Sequence, residues 1–381
     1  MQATNLSRIQ SVDFIRGLVI VLMAIDHVRV YSGLPPGGPD PGIFFTRWVT
    51  HFCAPAFVFL SGTSAFLYGV KLNDTKQLAR YLLTRGILLI VLELTLIRFC
   101  WTFNFDYAKF TLAGVIWMLG WCMVTLSLLV RLNAKTVGII GLAIIFLQNI
   151  FSFVPRLLPE ASRIPFGYFW EFIYSSGLEA PPHITILYVL VPWIGVMAAG
   201  YGFGMILQLD EIKRNKFLLN IGLGATGLFL VFGTVRALMN SNPEAPPFIF
   251  RLLNQVKYPA SQLFLMMTLG PLISLMPYVE KMTNAFAKAM ITFGKVPFFY
   301  YLLHIPLIHV SALVVQMIKD GRVNSEWYDS APYTWMPEEF RWSLGLLYLV
   351  FLVDVILLYI ACRWYVKYKF NHPEKKWLKF L

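Results

Sequence analysis

Residues 343–362 read SLGLLYLVFLVDVILLYIAC, a run holding one charge, Asp354. Coiled as a helix at a rise of about 1.5 Å per residue, such a run reaches about 30 Å, the thickness of a bilayer's hydrocarbon layer. The stretch therefore predicts a membrane span, with bounds near 342–364. The rest of the 381-residue chain agrees, with 57% hydrophobic and 14% charged residues, against about 45–50% and about 25% in soluble domains. That balance excludes a soluble enzyme and a disordered chain. Working outward, nine further apolar stretches are expected to span, at roughly 11–31, 48–70, 82–101, 110–130, 134–154, 183–207, 217–238, 260–279 and 290–317. The run at 134–154 is the weakest and is open to a re-entrant or tilted reading. The aromatic stretch 165–177 is too short to cross and reads as an interfacial helix or loop. The fold class expected is thus all-α: a polytopic transmembrane helical bundle of about ten spans, one domain over 1–381, with 365–381 a basic tail.

The formal net charge of +12 does not point to nucleic acid, because the basic residues flank apolar spans and are not gathered on one face. They orient the chain instead. With the N-terminus inside, the inner segments hold Arg8, Lys71, Lys76, Arg80, Arg85, Arg131, Lys135, Lys213, Arg214, Lys216, Lys281, Lys288 and six more after residue 362, against five acids. The outer segments are nearly balanced. Cytoplasmic loops carry such an excess, so both termini are expected in the cytoplasm. The first apolar run contains Asp13 and Arg16 and lacks an A-x-A-like end, so it reads as a retained helix. The four cysteines, Cys53, Cys100, Cys122 and Cys362, form no C-x-x-C pair and suggest neither a disulfide framework nor a zinc site. Outer loops near 155–182, 239–259 and 319–341 are long enough to fold over something, as a lid does.

Ionisable residues inside spans are costly and are functional candidates by default. Asp13 and Arg16 are three apart and share a helix face. A helix-entry ion pair is one reading; a cytoplasmic anion held by Arg16, with Asp13 orienting it, is the other. Gly17 beside them permits close helix approach. Asp26 and His27 lie about 15 Å further along the same helix. Arg47 and His51 open the next span at the same outer side, after a short Pro-Gly loop. Together the four suggest one outer cluster, in which a histidine beside a carboxylate serves as general base. His304 lies mid-span, with Lys295 near the inner end and Pro297 and Pro306 loosening the helix. His309, five residues on, faces elsewhere and reads as structural. Glu93 and Asp354 are expected to pair with Arg or His from other helices, or to stay protonated. The run GYGFG at 200–204 reads as helix packing.

Two strings, SVDFIRGLVIVLMAIDHVR at 11–29 and FFTRWVTHFCAPAFVFLSGTS at 44–64, carry a resemblance. With VPWIGVMAAGYGFG at 191–204, KYPAS at 257–261 and GKVPFFYYLLH at 294–304, the chain resembles the bacterial branch of the heparan-α-glucosaminide N-acetyltransferase-like membrane proteins along nearly its whole length. The resemblance implies transfer of an acetyl group from cytoplasmic acetyl-CoA to an amino sugar across the membrane. By it, Asp13, Arg16 and Gly17 match the family's Asp-x-x-Arg-Gly start. His27 falls where the lysosomal enzyme has an active-site Asn. That enzyme's catalytic His lies in a His-Ala-Ser-Trp-Asn-Gly string after the first span, which this chain lacks. Either His27 or His51 takes that role, or the branch does different chemistry.

The expected function is therefore a membrane-embedded acyltransferase moving an acetyl group from acetyl-CoA to a sugar amine or hydroxyl outside. Arg16, Asp13, Lys295 and His304 are expected at the acetyl-CoA site, with Lys76, Arg80 and Arg85 nearby. His27, His51 and Asp26 are expected to be catalytic, with one histidine deprotonating the acceptor or accepting the acetyl itself. Arg47 is expected to hold the acceptor. No metal is expected. The expected partners are acyl-CoA, an extracytoplasmic glycan or lipid-linked sugar and membrane lipid, with a homo-oligomer open and the bacterial inner membrane as location. The alternative is a proton-coupled transporter or flippase, with Asp26, His27, His304 and Asp354 as the relay.

Overall fold

The structure is a computed structural model describing residues 9–38, 40–175, 184–239 and 245–379. Arg8, parts of the outer loops at 176–183 and 240–244, and the last two residues of the tail lie outside the described residues.

Fifteen α-helices are described. The first is α1 (Gln10–Tyr31), followed by α2 (Pro41–Trp48), which a 3₁₀ turn joins to α3 (Cys53–Leu72). Next comes α4 (Thr75–Leu92), which passes through a π-helical turn (Glu93–Ile97) into α5 (Arg98–Thr102). After β1 (Thr111–Ala113) come α6 (Val115–Leu129), α7 (Ala134–Leu147), which runs on as a 3₁₀ segment to Leu157, and the short α8 (Glu160–Trp170). After β2 (Ile184–Ile186) follow α9 (Trp193–Phe203), α10 (Glu211–Met239), α11 (Phe248–Leu253), α12 (Gln262–Val279), α13 (Ala285–Lys295), α14 (Pro297–Asp320) and α15 (Leu344–Asn371). Helix starts are set by side-chain caps: Asp74, Asn133, Ser261, Asn284 and Ser343 each accept a hydrogen bond from the amide three residues on.

Among the described residues, six helical segments are long and apolar enough to cross a membrane: 41–72, 134–157, 211–239, 262–279, 297–320 and 344–371. Each of the ten expected stretches contains a helix, but several depart from the reading. The run at 134–154 is continuous helical structure. The stretches 110–130 and 183–207 each begin with a strand, because β1 pairs in parallel with β2, Thr111 opposite Ile184 and Ala113 opposite Ile186. The fold is otherwise helical, as expected of the all-α class; three-residue strands are too short to leave a period in the sequence. The ninth stretch is two helices, broken at Val296 before Pro297, where proline sits at a helix start that needs no amide donor.

α1 is the centre of the bundle, most of its residues being buried and in contact with α3, α12, α13, α14 and α15. It touches α13 backbone to backbone: a Cβ on Gly17 would lie 1.7 Å from the Met290 carbonyl oxygen, and one on Gly294 would lie 1.8 Å from that of Asp13. The Gly17 expectation holds. Likewise, a Cβ on Gly200 would meet the Phe59 carbonyl at 2.0 Å, so the GYGFG run packs α9 on α3. At the periphery, α10 turns Leu223, Val231 and Phe232 outward, as a lipid-facing helix does.

Candidate active site

Two cavities run along α1. The inner one, about 300 Å³, is lined by Arg16, Ser64, Tyr81, Arg85, Lys295 and Lys369 among apolar side chains. It lies at the end of the bundle where α1 and α14 begin and α15 ends. Arg16 is held by Asp13 at 3.9 Å, by the Leu60 carbonyl oxygen at 2.9 Å and by Ser64 Oγ. Asp13 therefore does orient Arg16, as the i, i+3 spacing implies. Lys76 and Arg80 are not among the lining residues.

The outer cavity, about 100 Å³, is lined by Asp26, His27, Glu93, Trp101, Tyr188, Lys257 and Tyr258, with Pro332 from the 321–343 loop. The ribbon supplies Leu112 and Leu187, the residue after β2. The loop is tied down over this end by Thr334 Oγ1 donating to the Val30 carbonyl at 2.8 Å and the Trp342 amide donating to that of Ser32 at 3.0 Å. Met23, Phe57, Val115 and Tyr301 line both cavities, so the two are neighbours along α1.

His27 pairs with His304. His27 Nδ1 lies 2.7 Å from His304 Nε2, and the rings stack at 4.9 Å. His304 Nδ1 lies 2.7 Å from the Tyr301 carbonyl oxygen and 3.2 Å from that of Tyr300. Carbonyls only accept, so His304 Nδ1 carries a hydrogen and, in the neutral ring, Nε2 is the acceptor. His27 Nδ1 then donates to it, and the His27 lone pair is left on Nε2, on a ring that lines the outer cavity. The tautomer follows from the network, not from visible hydrogens. Trp101 packs edge-on against His27 at 4.8 Å.

The other expected members do not hydrogen-bond His27 among the described residues. Asp26 is bonded to Arg29 at 2.7 Å, so the helix turn gives its carboxylate to an arginine and not to a histidine. Arg47 donates to the Pro36 carbonyl and lines neither cavity. His51 is buried, edge-on to Phe264 at 5.5 Å, and also lines neither. Of the four residues expected at the outer side, Asp26 and His27 line the outer cavity together, and the ring of His27 is paired with His304. Asp354 accepts from Ser311 Oγ at 2.7 Å, so of the two expectations for it, a cation partner or a protonated carboxyl, the cation is not found among the described residues. Glu93 likewise lacks one: Arg98 is engaged with the Phe110 carbonyl, Thr102, Asn104 and the Asp106 carbonyl. Of the four residues in the transporter relay, only His27 and His304 share a hydrogen bond among the described residues. His309 stacks on Phe103 at 3.9 Å, a structural role as expected. Among the described residues, no group of three or more His, Cys, Asp or Glu stands close enough to hold a metal ion, and the four cysteines are free and buried.

Lys257, Tyr301, Trp101 and Tyr188 are absent from the sequence reading of the site. Lys257 and Tyr301 lie inside quoted strings, 257–261 and 294–304, which was the available signal; Trp101 and Tyr188 look like ordinary interfacial aromatics.

A helical bundle with apolar outer faces and a polar interior that ends on paired histidines is an integral membrane protein with an enzyme-like centre. The family model described as heparan-alpha-glucosaminide N-acetyltransferase, catalytic, matches residues 8–237, more than half of the chain, and the chain belongs to that family. Its function is accordingly of the membrane acetyltransferase type. The match covers Arg16, His27 and Glu93 and ends before Lys257, Lys295 and His304. Comparison with curated proteins gives no match.

Proposed function

We propose that the protein transfers an acetyl group from cytoplasmic acetyl-CoA to a sugar amine or hydroxyl on the far side of the membrane. The observation that carries this reading is the sharing of Met23, Phe57, Val115 and Tyr301 by a basic inner cavity and the His27 cavity. CoA is anionic, and Arg16, Arg85, Lys295 and Lys369 at the inner cavity suit its phosphates. The pantetheine arm then runs along α1 and brings the thioester to the neck below His27. His27 Nε2 takes the acceptor's proton as the acceptor attacks the carbonyl carbon. The carbon–sulfur bond breaks, and the same proton passes from His27 to the CoA sulfur. His304, locked by the Tyr301 carbonyl, fixes the His27 ring and supports its cation while the proton is held.

The lining of the inner cavity by both Arg16 of α1 and Lys369 of α15 supports both termini on one side, and the basic excess there supports the cytoplasm. We take the span count as ten, the membrane as the bacterial inner membrane, and an extracytoplasmic glycan or lipid-linked sugar as partner. A ligand that binds only the native state raises its stability, by about 2.7 kcal/mol at a hundred times its dissociation constant. Acetyl-CoA is therefore expected to raise the melting temperature of the detergent-purified protein, and Arg16→Ala to remove most of the rise. No rise in the wild type would count against the reading.

A further inference from the structure

The outer cavity holds one buried group that the transfer step leaves idle. Glu93 opens the π-helical turn after α4 and is 2% exposed. Such turns interrupt helices mostly at functional positions. One carboxyl oxygen, Oε1, lies against Gly114, where a Cβ would come within 2.2 Å of it. The backbone N–H groups of Gly114, Ile116 and Trp117, at the start of α6, face the carboxyl. The other oxygen, Oε2, is buried with no hydrogen-bond partner, on a side chain that lines the outer cavity. Among the described residues it takes part in no salt bridge. Arg98 is turned to the 104–110 loop, and Lys257, on the same cavity, sits 5.2 Å from the Tyr258 ring centre. Buried acceptors without partners are rare, and one on a side chain that lines a cavity calls for a ligand donor.

His27, whose pairing with His304 leaves the lone pair on Nε2, lines the same small chamber. A ligand nitrogen with several polar hydrogens can donate to both side chains, which a hydroxyl with one cannot. We propose that Glu93 is a catalytic residue that binds the acceptor as an ammonium group. This rests on the acyltransferase reading above. The ammonium gives one proton to the Glu93 carboxylate and becomes a free amine. The amine attacks the thioester carbon, the carbon–nitrogen bond forms and the carbon–sulfur bond breaks. The second proton goes to His27 and on to the CoA sulfur. The proton on Glu93 leaves through the outer cavity, so amide, CoA thiol and one proton are the products.

The test uses the full-length protein in detergent, saturated with CoA, with glucosamine and glucose as probes and thermal stability as the readout. The wild type is expected to be stabilised by glucosamine and much less by glucose. In Glu93→Gln the amide oxygen stays with the N–H groups of α6, and the NH₂ group faces the cavity, a donor where an acceptor stood. Its affinity for glucosamine is expected to fall about 10–100-fold, the range for hydrogen bonds to charged groups, while its stabilisation by acetyl-CoA is kept. Glu93→Asp, which draws the charge back by one methylene, is expected to prefer glucosamine still, at lower affinity. Equal stabilisation of the wild type by the two sugars, or undiminished glucosamine binding by Glu93→Gln, would overturn the proposal. Failure of acetyl-CoA to stabilise the wild type tells against the acyltransferase reading instead, and the sugar comparison then decides Glu93 by itself.

Discussion

At His27 the chemistry reduces to which ring nitrogen carries the hydrogen. The Tyr301 carbonyl fixes His304, His304 fixes His27, and the lone pair of His27 is left on Nε2. Removing the proposed base, as His27→Ala, is expected to lower acetyl transfer about 10²–10⁴-fold while stabilisation by acetyl-CoA is retained. His304→Ala frees the tautomer and the ring, and a smaller loss is expected. His51→Ala is expected to leave transfer within about twofold, because His51 packs on Phe264 outside both cavities; rates of CoA release in one membrane preparation compare the three. The sequence made His27 and Arg16 visible because charge inside a span is expensive. It could not choose between His51 and His304 as the partner of His27, since that depends on which helix the folded bundle sets beside α1.

Helix contacts explain where the cavities can exist. α1 and α13 approach so closely that Gly17 and Gly294 leave no room for a methyl group, and this contact sets Lys295 beside Arg16 at the inner cavity. Gly17→Ala would drive a Cβ into the Met290 backbone. The expected cost is about 1–3 kcal/mol, the range for overpacking, seen as a lower melting temperature and loss of the acetyl-CoA effect. Gly227→Ala on α10 meets nothing within 4 Å and is expected to stay within about 0.5 kcal/mol of the wild type. Equal destabilisation by the two would contradict the packing account. Gly17 was legible beside the Asp-x-x-Arg pair because small residues serve close helix contacts. The β1–β2 ribbon was not legible, since it joins residues some seventy positions apart through three-residue strands.

For the whole molecule, hydropathy reads well where helices are long and lipid-facing and poorly where they are short and enclosed. The stretch around α15 was plain, whereas α9 has eleven helical residues and reaches the length of a span only with its flanking turns. The π-helical turn at Glu93 was hidden for a similar reason: backbone irregularity leaves no hydropathy signature, so Glu93 read as a mid-membrane carboxyl either paired with a cation or protonated. Sidedness is a molecular property and has its own test. Alkaline phosphatase, active only outside the cytoplasm, is expected to be inactive when fused after Leu381 and active when inserted near Gly321. The reverse pattern would invert the membrane orientation.

The central claim is that a donor entering at Arg16 reaches His27 through the neck formed by Met23, Phe57, Val115 and Tyr301. Bromoacetyl-CoA tests it without any acceptor, because its acetyl carbon alkylates a nucleophile that it reaches, forming a carbon–nitrogen bond and releasing bromide. Mass spectrometry of the labelled protein is expected to find the adduct on His27, blocked by excess acetyl-CoA and absent in Arg16→Ala. Labelling confined to inner residues such as Lys295, with His27 unmodified, would contradict the account.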